Sequence, residues 1–144
     1  MSLFDAIDIS ASGLTANRTR MDVTAENLAN AETTRGANGQ PYQRQEVVLQ
    51  QVGGFGAALA GAMGQTTAAG GVQVAGIVND PTPDQMVYDP GNPDANSKGY
   101  VQMPNVNSVT EMVDMIDESR SYEANVTAMN TSKDMYQKTL DLLK

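Results

Sequence analysis

The sequence predicts a mainly α protein whose N- and C-terminal helices pair in an elongated coiled coil, antiparallel or coaxial, with a small β-rich or extended insert between them. Three observations predict it. Apolar residues recur at heptad spacing near the N-terminus, they recur again near the C-terminus, and Gly, Pro and Asn take over in the middle. Residues 1–32 and 108–144 are the two coil segments of one helical domain, and residues 33–107 form the insert, with a Gly/Ala-rich loop at 53–71.

The first helix is expected from about Leu3 to Asn30. Ile7, Leu14, Met21 and Leu28 fall on one row at intervals of seven. Phe4, Ala11, Arg18 and Ala25 sit three residues before them, so the two rows read as the a and d positions of a heptad, interrupted only at Arg18.

In the insert, Gln45–Val52, Val72–Val78 and Gly99–Met103 are β-prone runs that read as strands. Pro81, Pro83, Pro90, Pro93 and Pro104 exclude a long helix, and Asp89-Pro90-Gly91 and Gly91-Asn92-Pro93 are turn signals. Between Gly53 and Gly71 the only large apolar residues are Phe55, Leu59 and Met63. They share one helical face, so a short helix over 55–63 is the alternative to a loop, but glycine weighs against it.

The last helix carries the stronger pattern. Met112, Met115, Ser119, Tyr122, Val126, Met129, Lys133, Tyr136, Leu140 and Leu143 alternate spacings of three and four, with Ser119 and Lys133 the only polar steps. Ser108 and Glu111 have the spacing of a capping box, which starts the helix there. From that start to Lys144 it would run about 50 Å at 1.5 Å per residue, longer than a compact domain of this size covers. A strict seven-residue repeat winds two such helices left-handed around each other.

Composition narrows the function. With no Trp, two Phe and five Tyr in 144 residues, a large buried core is not expected, and partners are expected to supply burial. The net charge of −8 and the absence of a basic stripe argue against nucleic acid. There is no Cys and no His, which removes disulfides, thiol nucleophiles and the commonest general base and metal ligand. The N-terminal pattern does not read as a secretory signal peptide, and the longest small-apolar run, Ala57–Met63, is far too short to insert in a membrane.

The central carboxylates, Asp80, Asp84, Asp89 and Asp94, fit neither an EF-hand register nor a glycosidase pair with a sugar platform. Turn capping explains them, so no catalytic residue, metal or cofactor is expected. Met112, Met115 and Met129 read as seam packing, and methionine also adapts to the differing surfaces of non-identical neighbours.

Both ends of the chain resemble a known family. Asn27-Leu-Ala-Asn-Ala-Glu-Thr-Thr34 is similar to the signature that closes the first helix of the axial proteins of the bacterial flagellum, the rod, hook and hook-associated proteins. Glu111-Met-Val-Asp-Met-Ile116 and Arg120-Ser-Tyr-Glu-Ala-Asn125 resemble that family's last helix. Pro41-Tyr-Gln-Arg44, the turn Tyr88–Asp94 and the run Gly99–Asn107 look like its proximal-rod members; residues 53–71 match nothing diagnostic.

The resemblance implies a non-enzymatic rod subunit that polymerises with itself and other rod subunits to transmit motor torque. It also implies passage through the flagellar export apparatus to the periplasm without a cleaved signal, with the basal-body rings as a contact left open for residues 53–71. The subunit and coil interface is expected to involve Ile7, Leu14, Met21, Asn27, Leu28, Asn30, Met112, Met115, Tyr122, Val126, Met129, Tyr136, Leu140 and Leu143. Two other classes stand beside this reading, a soluble helical adaptor or secretion chaperone and a wall-acting hydrolase that uses the central carboxylates.

Overall fold

The computed structural model describes residues 3–36, 38–53, 62–63 and 70–142. The elements are α1 (Leu3–Ala29), β1 (Gln45–Gln51), β2 (Val72–Asn79), β3 (Gln85–Tyr88), β4 (Tyr100–Met103) and α2 (Ser108–Asp141). Two long terminal helices thus flank two separate two-stranded sheets, β1 with β2 and β3 with β4. The short helix considered over 55–63 and the Leu143 seam position lie outside the described residues, as does the Phe4 side chain.

Asn30 closes α1. Its Nδ2 donates to the Glu26 carbonyl at 2.9 Å, and its Oδ1 accepts from Thr33 Oγ1 at 3.2 Å, so a helix-end carbonyl gains a partner. The start of α2 differs from expectation. The capping residue is Asn107, whose Oδ1 accepts from the N–H of Val109 at 3.0 Å and of Thr110 at 3.3 Å. Ser108 is therefore the first helical residue, and Glu111, expected to complete a capping box, is 1% exposed and turned inward.

The strand β3 was not expected, because four residues between Pro83 and Pro90 are too few for a periodic signal. Pairing with β4 makes it a strand: the two run antiparallel with Met86 opposite Gln102, Val87 opposite Val101 and Tyr88 opposite Tyr100. Val101 is buried, while Tyr88 and Tyr100 meet edge to face with ring centroids 5.3 Å apart. In the connection, Asp89, Asn92 and Asn96 each accept a backbone N–H two residues on, which fixes successive turns.

The described residues form two compact units, one drawn from 1–19, 48–76 and 118–144, the other from 20–47 and 77–117. In the first, the base of β2 is anchored on α1: Ser12 Oγ donates to the Ile9 carbonyl at 2.7 Å and accepts from Val72 N–H at 3.2 Å. Gly13 faces the Asn125 amide so closely that a Cβ there would lie 2.9 Å from Nδ2. In the second unit Val23, Asn27, Val101, Pro104, Val106 and Glu111 are buried.

Burial along the helices corrects the expected seams. On α1, Arg18 and Ala25 are exposed, and the buried rows are Ser10–Asn17–Thr24 and Ala16–Val23, each at intervals of seven. On α2, Met112, Lys133 and Leu140 are exposed, and the row one residue earlier turns inward, with Glu111, Glu118 and Ser132 buried and Asn125 half-buried. Met115, Tyr122, Met129 and Tyr136 are half-buried beside it. The buried rows recur every seven residues but fall on other residues than the apolar ones, because apolarity marks a buried row only if that row is apolar. Here one row on each helix is polar; Ser10 and Ser132 satisfy their hydroxyls on the carbonyls four residues back.

Gly71 is where this packing is least forgiving. Its φ is +98°, and a Cβ would sit 2.6 Å from Ser12 Oγ. Gly39 has a similar φ, +76°, with nothing within 4 Å of the Cβ position. Gly39→Ala is expected to cost about 1 kcal/mol, from backbone strain alone, and Gly71→Ala at least about twice that. Urea titration of the two variants tests the order, and equal losses would show that the Ser12 contact is not tight.

Candidate functional site

The site begins with a polar side chain that cannot reach water. Asn27 lies in the last turn of α1 and is 1% exposed. Its Oδ1 accepts from Tyr42 Oη and from Gln45 N–H, both at 2.9 Å, and its Nδ2 donates to the Gln45 carbonyl at 2.9 Å and to Glu111 Oε2 at 3.0 Å. Two acceptor and two donor positions are filled, the full capacity of an amide. One side chain thereby ties the end of α1 to the segment entering β1 and to the first turn of α2.

Glu111 brings a charge into the same place, and Arg44 answers it, with Nε donating to Oε1 at 2.6 Å. The guanidinium also pairs with Glu46, with Asp80 at 3.6 Å and with Asp114 at 3.7 Å, so four carboxylates surround one cation. Its backbone is fixed as well: Arg44 N–H donates to Asn105 Oδ1 at 2.8 Å, and its carbonyl accepts from Asp80 N–H at 2.8 Å. Asn105 Nδ2 donates in turn to the carbonyls of Thr82 at 3.0 Å and Asp80 at 3.3 Å.

The electrostatics follow from this geometry. The hydrogen bond to Glu111 drives the Arg44 guanidinium to a still higher pKa than usual, against the opposing effect of burial. Hydrogen bonds from the Thr82 hydroxyl and N–H hold Asp80 below the usual carboxylate value, with Arg44 adding to the effect. Burial, and then the charges of Glu26 and Glu111, push the Tyr42 phenol up to about 12. The cluster is a structural clamp in which four carboxylates share one guanidinium.

The remaining central carboxylates also have partners. Asp84 accepts from Gln102 at 2.7 Å, Asp89 from Gly91 N–H at 3.2 Å, and Asp94 from Thr34 at 2.8 Å with Arg35 at 3.5 Å. Among the described residues no group of three or more acidic side chains is placed to hold a metal ion. A polar cleft of about 500 Å³ beside the clamp is lined by Glu26 and the amides of Asn30, Asn38, Gln40, Gln43, Gln45 and Asn79.

Of the residues expected at the interface, Ile7, Leu14, Met21, Leu28, Asn30, Met115, Tyr122, Val126, Met129 and Tyr136 are half-buried, and Met112 and Leu140 are exposed. Asn27 is fully engaged within its own chain and keeps no hydrogen-bonding group for a neighbour. Sequence reasoning missed Arg44, Tyr42, Asn105 and the inward role of Glu111. The signal was a lone Arg before a Gln-rich strand, with Glu111 assigned instead to a helix cap.

Comparison with known proteins gives this clamp a context. The family described as flagella basal body rod protein matches residues 7–37, and the family described as flagellar basal body rod FlgEFG protein C-terminal matches residues 97–142. Asn27 falls in the first match, and Asn105 and Glu111 fall in the second. The class defined by both ends is that of the flagellar basal-body rod proteins. The flagellar basal-body rod protein FlgC of Yersinia enterocolitica is 49% identical over 99% of this chain and 98% of its own. FlgC of Bacillus subtilis is 49% identical over the full length of both, and FlgC of Salmonella typhimurium is 46% identical over 99% and 98%. The chain belongs to the FlgC family: it is a structural subunit of the flagellar proximal rod and not an enzyme.

Two measurements test the clamp. Asn27→Ala leaves Glu111 and the Gln45 backbone short of partners and is expected to lower stability by about 2–3 kcal/mol in denaturant titration, whereas a loss under 0.5 kcal/mol would mean that water replaces the amide freely. A Tyr pKa raised by folding gives stability that is complete below the ordinary value near 10 and lost as pH rises towards 12. Stability should therefore fall between about pH 10 and 12, and Tyr42→Phe should flatten that fall while costing one hydrogen bond at neutral pH.

Proposed function

We propose that the chain serves the rod as an antiparallel two-helix coil, pinned at one end by the Asn27–Arg44–Glu111 clamp, that polymerises with itself and with other rod subunits to transmit torque. The observation that carries this reading is the Asn27–Glu111 hydrogen bond, which joins the last turn of the first helix to the first turn of the last and so supports a pair of opposite chain direction.

The polar buried rows suit that role. A pair held by amides, carboxylates and hydroxyls admits one register, since a slip would leave several of them unpartnered. The subunit reaches the periplasm through the flagellar export apparatus, and the half-buried Met115, Tyr122, Val126, Met129 and Tyr136 complete their burial on helices of the coil and its neighbours. The basal-body rings are a further partner of the assembled subunit. No helix among the described residues is long and apolar enough to cross a membrane.

Co-assembly with cognate rod subunits, followed by electron microscopy, is the test. Met129→Asp is expected to abolish tubular assemblies by placing a desolvated carboxylate in the coil, at a cost of several kcal/mol, while Met129→Leu assembles normally. Normal tubes from the Asp variant would exclude this row from the coil.

A further inference from the structure

The loop that follows α1 carries a chemical feature that the rod role does not use. Asn38-Gly39 is the one place in the chain where glycine follows asparagine. Elsewhere the residue after asparagine bears a side chain that crowds its own nitrogen, or is Pro93, whose nitrogen carries no hydrogen. Glycine leaves its nitrogen open to attack the side-chain amide carbon of the residue before it.

The structure presents this pair to solvent. Asn38 and Gly39 are both exposed, and nothing lies within 4 Å of the position a Gly39 Cβ would take. The Asn38 side chain folds back over the peptide that follows it, with Oδ1 accepting from the Gln40 N–H at 3.1 Å. That donor sits on the oxygen that gains negative charge when a nucleophile adds to Cγ, so it stabilises the addition as an oxyanion-hole donor does. Nδ2, the group that must leave, has no hydrogen bond among the described residues. One bond opposes the attack: the Gly39 N–H donates to the Gly36 carbonyl at 2.9 Å. The same turn is closed by the Gly36 N–H on the Gln40 carbonyl at 2.8 Å, and a surface turn held by so few bonds opens at small cost.

We propose that Asn38 is a site of spontaneous covalent modification, with the Gly39 nitrogen as nucleophile and water as co-reactant. The nitrogen gives its proton to solvent and bonds to Asn38 Cγ. The Cγ–Nδ2 bond then breaks, ammonia leaves, and a five-membered imide closes. Water opens the imide on either side of the nitrogen. Attack at Cγ yields an aspartate, and attack at the main-chain carbonyl yields an isoaspartate, whose main chain is one methylene longer. In both cases an amide and water become a carboxylate and ammonium. The new carboxylate stands in the wall of the polar cleft that also holds Glu26, and it adds a negative charge to a chain already at −8. The aspartate keeps an acceptor for the Gln40 N–H, whereas the added methylene of the isoaspartate breaks the register of the 36–40 turn. The inference is independent of the rod reading.

The sequence makes the test direct. Trypsin cuts after Arg35 and Arg44 and releases a peptide in which Asn38 is the sole asparagine. The full chain is held folded at neutral pH and sampled over time by mass spectrometry of its tryptic peptides. Asn38 is expected to convert at least tenfold faster than any other asparagine, with aspartate and isoaspartate both formed. Gly39→Ala should slow the conversion at least tenfold with helix content unchanged by circular dichroism. Aspartate without isoaspartate would mean direct hydrolysis and would remove Gly39 as the nucleophile. Conversion seen only after unfolding in urea would mean that the bond to Gly36 blocks the attack in the folded chain. Either result, or an Asn38 that stays intact throughout, overturns the inference.

Discussion

The hydrogen-bonded set of Asn27, Glu111 and Arg44 is the constraint on which one of the chain's two compact units depends. A buried carboxylate is tolerable only with a cation and a donor in fixed positions, and Arg44 and Asn27 are those groups. Because Asn27 also accepts from Tyr42 and Gln45, the charge is held by segments that are far apart in the sequence. None of these segments can move without leaving a buried group unpaired. Specificity of arrangement, more than raw cohesion, is what such a network supplies.

The rest of the interior has the same character. Among the described residues, those buried with polar or charged side chains, seven of them, outnumber the buried Ala, Val and Pro, five in all. A chain with no Trp and little aromatic bulk has few means of building an oily centre, and a rod subunit needs none if its neighbours cover much of its surface. In its place stand polar rows at intervals of seven, with Ser10, Asn17 and Thr24 buried on α1 and Glu111, Glu118 and Ser132 on α2.

How much of this was legible in the sequence depends on whether the signal was local. Heptad spacing, proline punctuation and strand propensity are local, and they located both helices and, to within one residue, three of the four strands. Strand β3 escaped because its four residues become a strand only by pairing with Tyr100–Met103. The phase of the α2 seam escaped because Glu111, Glu118, Asn125 and Ser132 read as surface until their partners are known. The clamp escaped for the same reason: Ser108 and Glu111 satisfy a spacing rule for capping, but Asn107 holds the cap, and Glu111 is drawn to an Arg sixty-seven residues away. The family signature around Asn27 was visible as a string, and only the contacts show what its first amide does.

The scarcity of buried hydrocarbon has a thermal consequence. The heat capacity of unfolding grows with the apolar surface that unfolding exposes, and it is this quantity that bends the stability curve. A protomer whose interior is largely amide, hydroxyl and carboxylate has a shallow dome, so cooling weakens it little and warming gives it little in return. The stability of such a protomer therefore changes little over tens of degrees around its maximum.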